Sequence, residues 1–241
     1  MKLYAVGDDW QSIFRFTGSD ISIITDFRRY FGATHQTAIL HTYRFNTQIA
    51  AVSGKFIQRN PKQLRKEIKA AKQAQSESFV FMGIHAPGDK LSAQIKKDAK
   101  IRSVLDEVLA LKADARVFFI GRYHHNQPLK LANYQSRYPG LKMEYHTAHR
   151  VKGMTCDYAI LLDVDSGEIG FPSEIADDPL LNFLLNGEDD YEHAEERRLF
   201  YVAITRAKHR NYILYDWRNP SRFVGELIEI NGGAGSDKNW Q

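Results

Sequence analysis

The stretch KMEYHTAHRVKGMTCDYAILLDV, residues 142–164, decides the fold class. Its first part, Lys142–Thr147, is typical of a strand, and its last part, Tyr158–Val164, is an almost continuous apolar run of strand length. Strands that are apolar on both faces occur in parallel sheets that helices cover on each side. The stretch therefore predicts two strands of such a sheet, with the polar loop 148–156 between them.

Strand and helix patterns alternate on both sides of this stretch. Further strands are predicted at Leu3–Val6, near Ala38–Leu40, at Phe79–Ile84, at Val117–Gly121 and at Asn211–Tyr215. Helices are predicted over 20–31 with Asp20 as N-cap, from Asn46 to Asn60, through Ile101–Leu109, around 126–137, over 193–208 and around 221–230. This alternation predicts an α/β fold, in which helices cover both faces of one parallel sheet.

Composition excludes several classes of protein. Hydrophobic residues make up 43% of the 241 residues, which is enough for a large core, and charged residues make up an ordinary 26%. This composition excludes a disordered or fibrous chain. No apolar run is long enough to span a membrane, and the N-terminus has no secretory segment. Cys156 is the only cysteine, so no internal disulfide forms. These features predict a cytoplasmic protein.

Charge is unevenly distributed along the chain. The net charge is +4, and segment 55–72 holds seven Lys and Arg residues against Glu67, whereas 163–196 is acidic. Two interpretations of the basic segment stay open: a solvated helix face, which is the more common case, and a surface that tracks phosphates.

The first candidate functional motif, GDDWQSIFRFTG, covers residues 7–18. Gln11 at a strand-to-loop turn can orient a water or sense a terminal phosphate. Phe14 and Phe16, with Arg15 between them, offer two aromatic faces and a cation for base stacking. The alternative is that both phenylalanines are core residues of an extended segment.

The second motif is Thr42–Asn46, just before a predicted helix. Arg44 can reach a phosphate with two hydrogen bonds, and Tyr43 beside it can stack on a purine. Surface capping of the helix is the alternative interpretation.

The third motif lies in the stretch quoted first. Thr147, His149 and Lys152, followed by Gly153, place a hydroxyl, an imidazole and an ammonium on one short element, which suits contact with phosphate and ribose oxygens. His146 and His149 have no third metal ligand nearby in sequence, so no metal site is predicted.

The fourth motif is Glu195–Lys208, with Arg198, Val202, Thr205 and Arg206 at helical spacing. Acids at the start and bases at the end of a helix are also explained by the helix dipole. Arg206, just before a strand, can act as an arginine finger on a nucleotide that another domain holds.

Taken together and in this order, the motifs resemble the C-terminal half of UvrD/Rep-type superfamily 1 DNA helicases. The resemblance covers roughly residues 2–230 and is strongest at 6–13, 42–46, 121–125, 147–153 and 195–206. It implies that this chain has a RecA-like fold of the P-loop NTPase type and is the second motor domain of such a helicase. Residues 1–19 would be the end of the first motor domain and a linker, 20–231 the second domain, and 232–241 a disordered tail.

The family's residue roles follow from the matching positions. Gln11 would couple the γ-phosphate to the DNA site, and Arg44 and Arg206 would reach that phosphate. Tyr43 would stack on adenine, Gly153 would lie by the ribose, and Thr155 stands where many members place a glutamate. The implied DNA contacts are Phe14, Arg15, Phe16, Arg122, Thr147 and His149.

The phosphate-binding loop G-x-x-x-x-G-K-[ST] and the family's Mg²⁺-binding acidic strand motif do not occur in the sequence. The resemblance places both in the N-terminal RecA-like domain, which we expect to precede residue 1. ATP with Mg²⁺ would then bind only in the intact two-domain enzyme, and the isolated chain would not hydrolyse ATP. The predicted strand Leu3–Val6 would be displaced, swapped or frayed without that domain. The alternative function is a non-catalytic nucleic-acid-binding or partner-docking module.

Overall fold

The computed structural model describes residues 3–85, 90–175 and 191–233. Five parallel strands form the central sheet: β3 (Phe79–Ile84), β4 (Arg116–Gly121), β5 (Lys142–Thr147), β6 (Cys156–Leu161) and β7 (Ala207–Asp216). Their spatial order is β3-β7-β6-β4-β5. A smaller parallel pair joins β1 (His41–Asn46) to β2 (Lys69–Lys72).

Seven α-helices are described. They are α1 (Ser22–Thr25), α2 (Phe27–Phe31), α3 (Thr47–Ile57), α4 (Lys90–Leu111), α5 (Leu131–Arg137), α6 (Ala194–Ile204) and α7 (Arg222–Ile230). Short 3-10 turns lie at Asp9–Gln11, Arg15–Thr17 and His124–Asn126. No described helix has the length and apolarity that a membrane crossing requires.

The two faces of the central sheet each bury a separate hydrophobic cluster, because alternate strand residues point to opposite faces. On one face Phe118 and Ile213 pack with residues of α3, α6 and α7. On the other face Phe119 and Tyr212 pack with residues of α4 and α5. The predicted α/β fold, a parallel sheet with helices on both faces, is thereby confirmed.

The predicted strand over Leu3–Val6 is absent. Residues 3–8 take no regular secondary structure, and Leu3, Tyr4 and Val6 are exposed. A strand needs a hydrogen-bonded neighbour, and the described part of the chain supplies none here.

Several element bounds differ from the sequence predictions. The helix expected over 20–31 is two short helices with no buried residue, although Asp20 Oδ1 does accept from the N–H of Ser22 at 2.8 Å. The strand expected near Ala38–Leu40 is β1, so Tyr43 and Arg44 lie inside a strand. The basic segment 55–72 is not one helix face, because α3 ends at Ile57 and β2 begins at Lys69.

The other differences are at helix and strand ends. The helix expected around 126–137 begins only at Leu131, and the one expected over 193–208 ends at Ile204. The strand expected over Tyr158–Val164 is β6, Cys156–Leu161. Of the predicted disordered tail 232–241, Gly232 and Gly233 form a hydrogen-bonded turn after α7, and 234–241 lie outside the described residues.

Candidate nucleotide and nucleic-acid site

Arg206 occupies the turn between α6 and β7, because the helix ends at Ile204 and the strand begins at Ala207. Its side chain is fully buried, at 0% exposure. Nε donates to the Val202 carbonyl at 2.8 Å and Nη2 donates to Thr205 Oγ1 at 3.0 Å. These neutral acceptors fix the guanidinium without neutralising it.

Burial lowers the pKa of Arg206 to about 10, and the nearby charge of Arg44 adds to the effect. Within the described ranges, neither guanidinium has a carboxylate within ion-pair distance. Two arginines that repel each other at one place are stabilised when an anion binds between them. The geometry therefore suits a phosphate group, the ligand that the resemblance assigns to this pair.

Gln11 lies beside Arg206, with Oε1 accepting from Arg206 Nη2 at 3.5 Å. The side-chain Nε2 of Gln11 donates to Asp8 Oδ2 at 2.5 Å, and its backbone carbonyl accepts from Lys152 Nζ at 2.9 Å. The structure thus brings the three predicted catalytic residues, Gln11, Arg44 and Arg206, to one place.

Lys66 was not among the predicted site residues. Its ammonium contacts Asp9 Oδ1 and lies 2.8 Å from Asp8 Oδ1, so it fixes the carboxylate that holds Gln11. Those contacts raise the pKa of Lys66 in spite of its burial. Lys66 is separated from Asp8 by 58 positions in the chain, and only its place in the basic segment 55–72 marked it in the sequence.

The predicted adenine-stacking residue, Tyr43, projects from β1 and is 73% exposed. Gly153 has φ +84°, a conformation that favours glycine, and a Cβ there would meet no atom within 4 Å. Thr155 is half-buried just before β6. The carbonyl of Met154, between Gly153 and Thr155, accepts from Arg206 Nη1 at 3.5 Å, so this loop borders the arginine.

The predicted DNA residues form a second group next to the first. The rings of Phe14 and His149 lie 6.2 Å apart, and Lys152 Nζ lies 4.9 Å from the Phe14 ring centre. Thr147 ends β5, and its hydroxyl accepts from the N–H of Arg150 at 3.4 Å. Phe14 is half-buried and packs on the main core, as the core alternative predicted, while its base-stacking role stays a prediction.

Burial, followed by the charge of Arg122, lowers the pKa of His149 to about 4. The imidazole is therefore neutral at neutral pH and can contact a nucleic acid only through hydrogen bonding or stacking.

Two predicted DNA contacts have protein partners that the sequence did not indicate. The N–H of Arg15 donates to Glu195 Oε1 at 3.0 Å. The guanidinium of Arg122 bonds Glu196 at 2.8–3.0 Å and lies over the Tyr123 ring. The side chain of Phe16 lies outside the described part. Glu195 and Glu196, whose position at the start of a helix had been attributed to the helix dipole, thus bond Arg15 and Arg122.

The central part of the site coincides with a known domain family. Residues 126–217 match the UvrD-like helicase C-terminal domain, which confirms the resemblance drawn from the motifs. The described residues contain no group of three metal-ligating side chains.

The chain is 37% identical over 230 residues to DNA helicase IV of Escherichia coli strain K12. That match covers 95% of this chain and 32% of the relative, so the chain spans about a third of the relative's length. A solved structure, the C-terminal domain of a possible DNA helicase from Lactobacillus plantarum WCFS1, is similar at 15% identity with a TM-score of 0.45, over 77% of this chain and 94% of that one. Residues 126–217 are thus similar to a helicase C-terminal domain, and most of the chain is similar to part of DNA helicase IV.

Proposed function

We propose that this chain is the C-terminal motor domain of an ATP-dependent DNA helicase. The observation that carries the proposal is the buried guanidinium of Arg206, which has neutral hydrogen-bond acceptors and lies beside Arg44 and Gln11. A fixed cation in a buried turn is suited to stabilise negative charge on a phosphoryl group as that charge develops.

Each residue of the site has a distinct task in this proposal. Arg44 and Arg206 bind the terminal phosphate, Tyr43 stacks on the adenine, and Gly153 and Thr155 border the ribose. Gln11, held by Asp8, reports the presence of that phosphate to the adjoining loop. ATP with its Mg²⁺ supplies the free energy when an N-terminal RecA-like domain holds it against these residues.

Single-stranded DNA would bind next to the nucleotide. Phe14 stacks on bases, while Thr147 and His149 contact the backbone. Arg15, Arg122 and Phe16 are proposed as further contacts. Because Gln11 and Phe14 are in one short loop, closure of the two motor domains on ATP would move the strand.

A chimera tests this proposal. This chain replaces the matching 230 residues of the E. coli relative, and ATP hydrolysis and duplex unwinding are measured. We expect hydrolysis that single-stranded DNA stimulates. A chimera that folds and binds single-stranded DNA but does not hydrolyse ATP contradicts the proposal and favours a non-catalytic binding module.

A further inference from the structure

A basic groove lies between α3 and the segment that leads into β2. Its volume is about 710 Å³, and its lining includes Ala50, Ala51 and Gly54 on the helix side and residues 65–70 on the other. Gly54 is buried, but a Cβ there would meet no atom within 4 Å, so the groove leaves unfilled space beside this part of the helix. The two walls are joined where Gln58 Oε1 accepts from the N–H of Lys66 at 3.2 Å.

The net charge of the groove is positive. Lys55, Arg65 and Lys69 line it and are exposed, and the structure shows no ion-pair partner for them within the described ranges. Lys66 is neutralised by Asp8 and Asp9, and Glu67 is the only acid in the lining. Three unpaired cations around small side chains provide a surface for a polyanion.

The groove differs chemically from the Phe14 site, because none of its lining residues is aromatic. Surfaces for single strands combine cations with aromatic side chains on which unstacked bases lie. A surface that has cations but no aromatic side chains suits a double-stranded nucleic acid, because its bases stay stacked and its phosphates face outward.

We infer that this groove binds the phosphate backbone of double-stranded DNA, separately from the single-strand site. The inference rests on the proposed function only in taking DNA as the polyanion. Lys55, Arg65 and Lys69 would contact phosphates, and the small, exposed side chain of Ala51 would let the backbone approach closely.

The test uses this chain and two labelled probes: a closed hairpin duplex of about 20 base pairs and oligo(dT) of similar length. Binding is measured by fluorescence anisotropy at several salt concentrations. The test variant carries Lys55→Gln, Arg65→Gln and Lys69→Gln, and the matched control carries Arg137→Gln, Lys142→Gln and Arg218→Gln, exposed cations outside the groove lining.

We expect the groove variant to lose roughly tenfold or more in duplex affinity, with a salt slope smaller by about 3, because each lost phosphate contact removes about 0.9 from the slope. Its affinity for oligo(dT), and duplex binding by the control variant, should change by less than about twofold. Circular dichroism verifies that both variants are folded.

Three results would overturn the inference. Unchanged duplex binding by the groove variant would show that the groove does not bind duplex DNA. An equal loss of duplex affinity in the control variant would show that the effect comes from net charge alone. An equal loss for duplex and oligo(dT) makes the groove part of the single-strand path. The proposed function fails differently, through the absence of oligo(dT) binding in the unmodified chain.

Discussion

At the scale of single residues, the site depends on cations and an imidazole whose protonation the fold controls. Arg206 keeps its charge with a pKa of about 10, while burial keeps His149 neutral with a pKa of about 4. In the proposed function, Arg206 would therefore act on a phosphate through its charge, whereas His149 would contact the DNA backbone as a neutral group.

The neutrality of His149 has a measurable consequence. We expect His149→Asn to weaken oligo(dT) binding severalfold without changing the salt slope, because no charge is removed. Lys152→Gln, a neighbouring change that does remove a charge, should lower the slope by about 1. Anisotropy titrations across salt concentrations measure both, and a reduced slope in His149→Asn would contradict the assignment.

The pH dependence follows the same logic. A folded pKa of about 4 means that His149 gains its proton only well below neutrality. The difference in oligo(dT) affinity between the parent and His149→Asn should thus stay constant between about pH 6 and about pH 8.

At the scale of elements, the sequence predicted central strands better than the first forty residues. β3 and β5 have the predicted bounds, because a short strand-like run flanked by turn residues is recognisable from local sequence. Leu3–Val6 also has a strand-like pattern but takes no regular secondary structure, which agrees with the expectation that this strand would be displaced or frayed.

Asp157 joins several elements at the start of β6. The N–H of Arg116 and the ammonium groups of Lys112 and Lys208 bond its carboxylate, at 2.9, 3.0 and 3.0 Å. Although burial acts in the opposite direction, these contacts lower the pKa of Asp157 to about 2. The carboxylate thus links β4, β7 and the residue that follows α4 to β6.

This lowered pKa predicts how stability depends on acid. Because the pKa is lower in the folded state than in the unfolded state, the contribution is complete above about pH 4 and disappears as pH falls towards about 2. We expect Asp157→Asn to reduce the free energy of unfolding at neutral pH by about 1–2 kcal/mol and to flatten the acid limb. Urea unfolding at several pH values measures this, with the exposed Asp114→Asn as control. Parallel acid limbs for parent and Asp157→Asn would contradict it.

At the scale of the whole molecule, the site is assembled from distant parts of the chain. Gln11 and Arg206 were each predicted as site residues because each lies in a recognisable motif. Their contact at 3.5 Å connects residues from opposite ends of the chain. Lys66 and the pairing of Arg122 with Glu196 were not predicted, because both depend on long-range packing that no local pattern encodes. The groove at 55–70 is a similar case: its charge was visible in the sequence, but its shape was not.

The central claim is that Arg206 acts on a phosphate held between two motor domains. The most direct test is the rate of DNA-stimulated ATP hydrolysis by the E. coli chimera with Arg206→Met, which keeps an aliphatic side chain but removes the guanidinium. The matched control is the exposed Arg218→Met.

We predict that Arg206→Met loses roughly a thousandfold in turnover, as expected for an arginine finger, while the control keeps the parent rate. Oligo(dT) binding should survive in both variants. An Arg206→Met chimera that is folded and hydrolyses ATP as fast as the control would contradict the account.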